Sequence, residues 1–188
     1  MSNARVPRDD APNRIVVQGA SGSGKSTFAR ELSRVLDVPY LELDSLYHQE
    51  HWTALDVDTF RELVDVFSQQ PRWVSDANYS SVRDFLWSRA DVIVFIDLPR
   101  RRVIARLLRR TIRRGISHEE LWNGNRESLR HLFSLDPELN VVLWSWRTHG
   151  RYRQSVPDEA RSRAPHAEVT MLRSSAAVAS YLQRLRGT

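Results

Sequence analysis

Residues 15–27 read IVVQGASGSGKST, and the fold class of the chain can be predicted starting from these residues. Its first three residues are apolar and precede a glycine-rich turn, which predicts a buried strand. From Lys25 onward, apolar residues recur at helical spacing, which predicts a helix. From Gly19 to Ser26 the sequence fits the spacing G-x-x-x-x-G-K-S. A strand, this turn and a helix in succession are the setting in which such a turn binds phosphate groups.

Each part of the turn has a chemical purpose. Glycines let the backbone turn so that successive N–H groups point inward, and the helix N-terminus adds the positive end of its dipole. We expect Lys25 to reach the β- and γ-phosphates of ATP and the Ser26 hydroxyl to ligate Mg²⁺. The sequence therefore predicts that ATP and Mg²⁺ are bound and that the nucleotide contacts Gly19, Gly22, Ser23, Gly24, Lys25, Ser26 and Thr27.

The turn also holds the one lysine of the chain. Of 28 basic residues, 27 are arginine and only Lys25 is lysine. A genomic preference for arginine codons explains the bias, but Lys25 stands where arginine would be wrong, since lysine is a compact point charge and arginine a wide planar fork. We expect Lys25 to lie exposed in the loop and to contribute little to the stability of the fold.

Length and composition limit the class of protein. A chain of 188 residues with 41% hydrophobic and 27% charged residues is typical of one globular domain, here residues 14–188, after a loose tail at 1–13. No apolar run approaches the ~20 residues of a membrane helix, and the N-terminus lacks a signal-peptide core, so a cytoplasmic protein without a membrane partner is expected. The absence of cysteine excludes disulfides and thiolate metal sites.

Strand and helix signals alternate along the rest of the chain. Besides residues 15–17, strands are predicted at 40–44, 73–76, 91–97 and 167–172. Helices are predicted at 25–36, 56–70, 82–88, 99–113, 127–133, 137–149 and 175–185. The run 91–97 is apolar without alternation, as in strands that are buried on both faces. This pattern predicts an α/β protein with a parallel sheet.

Two aspartates compete for a role at the metal. Asp97 ends the strongest apolar strand, and Asp76 ends a weaker one. An aspartate at the end of the strand next to the first strand can hold a metal-bound water near the phosphates. Which strand is that neighbour depends on the order of the sheet, and the residues alone leave both aspartates open.

The helix predicted at 99–113 is strongly basic. Between positions 99 and 115 the sequence has eight arginines and no acid. Like charges at helical spacing repel, and an external anion would relieve that repulsion. The anion can be a transferring phosphate or a nucleic-acid backbone, and a plain charged surface is the third alternative. An apolar stripe is predicted to bury Val103, Ile104, Leu107, Leu108 and Ile112.

Taken together, these segments resemble a known family. The phosphate-binding turn, LDSLY at 43–47, WVSDANYS at 73–80, ADVIVFIDLP at 90–99 and the arginine helix are similar to adenylate-kinase-related P-loop proteins, in the branch often labelled topology modulation proteins. The similarity covers roughly residues 14–150. It implies a three-layer P-loop fold, a five-strand parallel sheet in the order 2-3-1-4-5, and a small helical lid at roughly 110–130.

The resemblance also implies roles for individual residues. The sheet order places the third strand beside the first, which favours Asp76 as the residue that holds the metal through water. Arg106 and Arg110 match a pair of phosphate-clamping arginines. Adenylate kinases carry an acceptor-binding arginine where this chain has Ser80, and the nearest arginine is Arg83.

We therefore predict an ATP-dependent phosphotransferase that acts on a small molecule or nucleotide. Asp44, which is expected to end the second strand, favours a hydroxyl acceptor because a carboxylate can take the proton of the hydroxyl. Lys25, Arg106, Arg110 and Asp44 are the predicted catalytic residues. An ATP-binding regulator that holds DNA or RNA and an ATPase without an acceptor are the alternatives. Four aromatic residues are predicted to pack the C-terminal helices, namely Trp122, Trp144, Trp146 and Tyr152.

Overall fold

The computed structural model describes residues 12–127, 132, 134, 136 and 140–187, with no side chain for 187. Five strands are described: β1 Arg14–Gly19, β2 Tyr40–Glu42, β3 Trp73–Asp76, β4 Val92–Ile96 and β5 Glu168–Leu172. The helices in the same part of the chain are α1 Lys25–Leu36, α2 Leu43–Tyr47, α3 Val57–Ser68, α4 Arg83–Arg89, α5 Arg100–Ser117, α6 Val141–Arg153, α7 Ser155–Arg163 and α8 Ser175–Gly187.

The strands form one parallel sheet in the order β2-β3-β1-β4-β5, which confirms the predicted order. β1 is central, and its residues Val17 and Gly19 pair with Asp76 of β3 and Ile96 of β4. In a parallel sheet all carboxyl ends lie at the same edge, where α/β proteins bind their ligands. The phosphate-binding turn and the end of β3 therefore meet there.

Helices cover both faces of the sheet, so the fold has three layers. Alternate residues of β1 point to opposite faces. Ile15 and Val17 are fully buried in one cluster with Phe28 of α1. Val16 is buried on the other face with Phe60 and Trp87. Burial of each such side chain contributes roughly 1.5–3 kcal/mol, and this packing holds the central strand rigid beneath the turn.

The second strand is shorter than the sequence predicts. β2 ends at Glu42 rather than at position 44, and Asp44 lies in the first turn of α2. Two local hydrogen bonds account for the difference. The Leu43 N–H donates to Asp76 Oδ1 at 3.2 Å, and the Ser45 hydroxyl donates to the Glu42 carbonyl at 2.6 Å. These bonds end the strand and start a helical turn.

α5 is longer than predicted, and it buries only part of its predicted apolar stripe. It continues to Ser117, after which His118 adopts left-handed backbone angles and donates its N–H to the Arg114 carbonyl. Val103 and Leu107 are buried, at 1% and 0% exposure. Leu108, Ile112 and Ile116 are at least 39% exposed and form a separate apolar row, so the predicted burial of Leu108 and Ile112 is wrong.

The C-terminal part also departs from the prediction. Asn140 caps α6 by accepting two backbone N–H bonds at 3.1 Å, and α6 extends to Arg153. α7 was not predicted; it contains Pro157, which its first turn tolerates because an N–H there needs no helical acceptor. The helix predicted at 127–133 lies almost wholly outside the described residues. No helix within the described ranges has the length and apolar character needed to cross a membrane.

Candidate active site

The turn after β1 is shaped to bind an anion through its backbone. Gly22 and Gly24 have φ angles of 87° and 94°, in the left-handed region that favours glycine. The Phe28 N–H donates to the Gly24 carbonyl at 3.0 Å and makes the first helical bond of α1. The N–H groups of residues 25–27 precede that bond and have no acceptor within the helix. They point, with the positive end of the helix dipole, to where a phosphate can sit.

The turn packs tightly against α5 and β4, and neither Gly22 nor Gly19 has space for a side chain. A Cβ at Gly22 would lie 2.8 Å from both the Val103 carbonyl and the Leu107 Cβ. A Cβ at Gly19 would lie 2.9 Å from the Ile96 carbonyl. Only glycine therefore allows the turn to pass between β4 and α5. This contact also fixes which face of α5 points into the site.

Lys25 is buried between two acids, so the expectation that it lies exposed is wrong. Its side chain is 12% exposed, and its Nζ lies 3.5 Å from Asp76 Oδ2 and 3.9 Å from Asp44 Oδ2. Burial alone would lower the pKa of Lys25, but the two carboxylates outweigh burial and raise it. The ammonium therefore stays charged, and it joins the phosphate-binding turn to both carboxylates.

Asp76 is held against the start of α1. The Ser26 hydroxyl donates to Asp76 Oδ2, while Asp76 Oδ1 accepts the Leu43 N–H. Burial raises the pKa of Asp76, and the charge of Lys25 and the bond from Ser26 only partly offset the rise. A hydroxyl and a carboxylate side by side next to a phosphate-binding turn are oxygen donors of the kind that Mg²⁺ prefers.

Asp97, the other aspartate considered for the metal, has different neighbours. It directly follows β4, and its side chain is 4% exposed. Its Oδ2 lies 3.6 Å from Arg153 Nε and 3.7 Å from Arg173 Nε. Two guanidinium groups thus neutralise Asp97, whereas Asp76 contacts Ser26 of the turn. The surroundings of Asp76 fit the metal role better than those of Asp97.

Asp44 stands on the far side of Lys25 and is held by a tyrosine. The Tyr79 hydroxyl donates to Asp44 Oδ1 at 2.8 Å and lies 3.4 Å from His48 Nε2. Burial would raise the pKa of Asp44, but the charge of Lys25 and the Tyr79 bond together lower it. Burial lowers the pKa of His48 despite the nearby Asp44. Near neutral pH the site therefore combines an ionised carboxylate with a neutral imidazole.

Two of the eight arginines of α5, Arg106 and Arg110, lie near the turn or its carboxylates. Arg110 is half-buried, and its charge acts on both Lys25 and Asp44; burial, followed by repulsion from Arg114, lowers the pKa of Arg110. Arg106 lies over the turn, since a Cβ at Gly24 would be 3.9 Å from its Nη1. The remaining exposed arginines of the helix are Arg100, Arg101, Arg102, Arg109 and Arg113.

Residues 118–127, which we name the lid arm, lie on residues 43–54, which we name the α2 arm. Asn125 bridges the two arms: its Nδ2 donates to the Gln49 carbonyl, and its Oδ1 accepts the Trp52 N–H, both at 2.8 Å. Trp122 stacks on His48 with ring centroids 6.1 Å apart. The predicted packing of Trp122 with the C-terminal helices is therefore wrong. The lid arm covers the Asp44 side of the site.

Two further tryptophans differ from their predicted packing, and Arg83 lies buried in the core. Trp144 and Trp146 are 47% and 51% exposed rather than packed. Arg83, the nearest arginine to the expected acceptor position, is 3% exposed and pairs with Glu159 at 2.9 Å. Its guanidinium also lies 5.0 Å from the Trp87 ring centroid. The Arg83 guanidinium is thus held in the core by Glu159 and Trp87.

Sequence reasoning assigned no part in the site to three polar residues that shape it, and it expected one of them, Tyr152, only to pack the C-terminal helices. Tyr79 orients Asp44, as described above. The Asn78 amide donates to the Gly19 carbonyl at 2.9 Å, and the Tyr152 hydroxyl donates to the Asn78 carbonyl at 3.2 Å. The available signal was the position of Asn78 and Tyr79 just after a predicted strand, at the edge where ligands bind. No sequence signal placed Tyr152 in the site, because it lies on α6, far along the chain from Asn78.

Comparison with known proteins identifies the fold. The chain aligns with shikimate kinase from Acinetobacter baumannii in complex with shikimate (16% identity, TM-score 0.56, 92% of this chain and 90% of the other). It also aligns with shikimate kinase from Bacteroides thetaiotaomicron (16% identity, TM-score 0.53, 94% of this chain and 98% of the other). A third match is a gluconokinase from Sinorhizobium meliloti 1021 (18% identity, TM-score 0.50, 94% of this chain and 94% of the other). No family model and no curated protein matches the sequence. At these identities the likeness shows a shared three-layer α/β fold and nothing more.

Proposed function

We propose that this protein is a kinase that transfers the γ-phosphoryl group of ATP to a hydroxyl group of a small molecule. The observation that carries the proposal is the Asp44 carboxylate, which lies 3.9 Å from Lys25 of the phosphate-binding turn and accepts a 2.8 Å bond from Tyr79. A hydroxyl acceptor must lose a proton as it attacks phosphorus, and an ionised carboxylate within reach can take it. The shared fold with enzymes named shikimate kinase and gluconokinase supports this class of reaction.

The nucleotide would bind with its phosphates on the backbone N–H groups of the turn, and Lys25 would contact the β- and γ-phosphates. Ser26 and Asp76 would hold Mg²⁺, Ser26 through its hydroxyl and Asp76 through water. Within the described part of the chain no three His, Cys, Asp or Glu residues form a metal cluster. One hydroxyl and one carboxylate suit an ion that keeps most of its water and binds substrate phosphates. When bound, Mg²⁺ neutralises charge on the phosphates.

In the reaction, the acceptor oxygen forms a bond to the γ-phosphorus as the bond from that phosphorus to the bridging oxygen breaks. The acceptor proton passes to Asp44, and ADP leaves with the bonding electron pair. Lys25, Arg106 and Arg110 stabilise the charge on the transferring group, and such preorganised cations act mainly on the transition state. The lid arm, which covers the Asp44 side of the site, would keep water from competing as the acceptor.

The test is an ADP-release assay with a panel of hydroxyl compounds, in which each phosphorylated product is identified by mass spectrometry. We expect ADP and phosphorylated acceptor in equal amounts. Asp44→Asn should lower kcat by roughly 10²–10⁴-fold while the affinity for ATP holds, because only proton transfer is lost. Asp97→Asn is the matched control, because Asp97 is a buried acid that pairs with Arg153 and Arg173. ADP release at the same rate with and without every acceptor would contradict the proposal and identify an ATPase.

A further inference from the structure

The side of the site that would receive the acceptor carries negative charge. Asp44 and Asp76 both contact Lys25, so two carboxylates share one ammonium. Asp44 is the more open of the two, with 28% of its side chain exposed, whereas Asp76 is 2% exposed. A molecule that approaches the turn from the α2 arm therefore meets the Asp44 carboxylate first.

The arginines around this side are already paired with acids. Arg61 lies 3.1 Å from Asp84 and also donates to the Ser81 carbonyl. In the same way, Arg83 pairs with Glu159 at 2.9 Å. Arg114 of α5 pairs with Glu127 at 3.1 Å and with Glu119 at 3.5 Å. Each of these guanidinium groups has its charge balanced before any acceptor binds.

Arg110 is the described arginine near Asp44 for which the structure shows no ion pair. It lies on the face of α5 that points to the phosphate-binding turn, and its charge acts on Lys25. The transferring phosphoryl group needs this cation, because its own charge is spread over three oxygens. Arg110 is therefore not left over to bind a second anion on the acceptor.

The remaining wall of the acceptor side is neutral and aromatic. The Tyr79 hydroxyl donates its hydrogen bond to Asp44, so the Tyr79 oxygen can accept a hydrogen bond from His48 Nε2 at 3.4 Å. That arrangement places the single proton of the neutral imidazole on Nε2 and leaves Nδ1, which is buried without a described partner, as an acceptor. Trp52 and Trp122 flank the imidazole at 5.2 and 6.1 Å. Such a wall suits hydroxyl groups and apolar C–H surfaces.

We propose that the acceptor is an uncharged hydroxyl compound, such as a sugar alcohol or a nucleoside, and not a carboxylic acid or a phosphate ester. This inference rests on the proposed function and adds the substrate class. An acidic group about 6 Å from the Asp44 carboxylate would be repelled by enough to weaken binding roughly 100-fold, since the two cations that act on Asp44, Lys25 and Arg110, are engaged by the phosphates of ATP. The solved structures of like fold include one named as a complex with shikimate, so the proposal separates this chain from that protein.

The test uses pairs of compounds that differ in one acidic group: glucitol with gluconate, and a nucleoside with its 5′-monophosphate. For each pair, kcat/KM with ATP and the dissociation constant in the presence of ADP are measured. We expect the neutral member of at least one pair to be phosphorylated with kcat/KM about 100-fold above that of its acid. A preference for the acids would overturn the inference while the proposed function stands. Phosphorylation of no compound in the panel would overturn both.

A variant separates the electrostatic reason from mere shape. Asp44→Asn removes the negative charge at nearly constant volume, so the ratio of dissociation constants between acid and neutral members should fall at least 10-fold. This readout is binding, and it remains measurable in a variant that no longer turns over. Asp97→Asn, which removes a carboxylate already paired with two arginines, should leave the ratio unchanged. An unchanged ratio in Asp44→Asn would show that charge does not select the acceptor.

Discussion

Replacing Lys25 with methionine should destabilise the protein as well as inactivate it. The ammonium lies 3.5 Å from one carboxylate and 3.9 Å from another. At an effective dielectric constant near 20, each attraction is about 4–5 kcal/mol before the cost of burying the charges. Loss of one partner from a buried ion pair typically costs about 3–5 kcal/mol in free energy of unfolding. For a chain of this length, about 3 kcal/mol corresponds to a fall in Tm of roughly 6–12 °C.

The loss should depend on pH in a defined direction. Burial already raises the pKa of Asp76, and removing Lys25 takes away the charge that holds it down. A carboxyl group whose folded pKa exceeds its unfolded value binds a proton on folding, so its contribution to stability is lost as pH rises through the folded pKa. Lowering the pH favours protonation of Asp76 in the variant and so restores part of its stability, and raising the pH removes that effect. The Tm difference between wild type and variant should therefore grow from pH 5 to pH 8.

Thermal unfolding of three variants checks this reasoning. Lys25→Met/Asp76→Asn removes the uncompensated carboxylate and should regain at least half of the lost Tm, although it stays inactive. Lys25→Met/Asp91→Asn is the control, because Asp91 pairs with Arg14 at the opposite edge of the sheet. This double variant should recover none of the lost Tm. A single variant as stable as wild type at pH 8, or a double variant no better than the single, would refute the proposed charge balance.

Three further predictions follow from the site. Tyr79→Phe removes the hydrogen bond that orients Asp44 and should lower kcat about 10–100-fold, with the KM for ATP unchanged. If kcat and the KM for ATP changed by the same factor, the positioning role of Tyr79 would be refuted. Arg110→Ala should lower kcat roughly 10²–10³-fold. In the same assay, Arg109→Ala, which changes the exposed neighbouring arginine, should keep kcat within about 3-fold of the wild-type value. Asn125→Ala breaks two bonds between the arms and should lower the free energy of unfolding by about 1–3 kcal/mol; tryptophan fluorescence would show the arms separating, and unchanged fluorescence would speak against the bridge.

The sequence predicts the central elements well because local and long-range signals agree there. Residues 15–17 are apolar, and the glycines that follow are needed at positive φ, so strand, turn and helix are all fixed by nearby residues. The sheet order came from the family resemblance rather than from the strands themselves. It matters for the site, because it places Asp76 opposite Val17 and next to the turn.

The geometry around Asp44 could not be read from the sequence because it depends on contacts between distant residues. The bond from Leu43 to Asp76 spans 33 positions, and the bond from Tyr79 to Asp44 spans 35. A three-residue strand followed by a helical turn gives the same apolar pattern as a five-residue strand. The sequence could not predict the burial of Lys25 for the same reason, since one of its partners ends β3 and the other lies in the first turn of α2.

The arginine helix shows what the sequence lacks: the rotation of α5 about its axis. Two apolar rows compete on this helix, one through Val103 and Leu107 and one through Leu108 and Ile112, and either could face the protein. The missing side chain of Gly22 decides between them, because Val103 and Leu107 occupy the space that a Cβ would need. Once that row faces the turn, Arg110 at helical spacing from Leu107 must point into the site, while Arg109 must point away. Which arginine of α5 points into the site is thus set by a glycine more than 80 residues earlier in the chain.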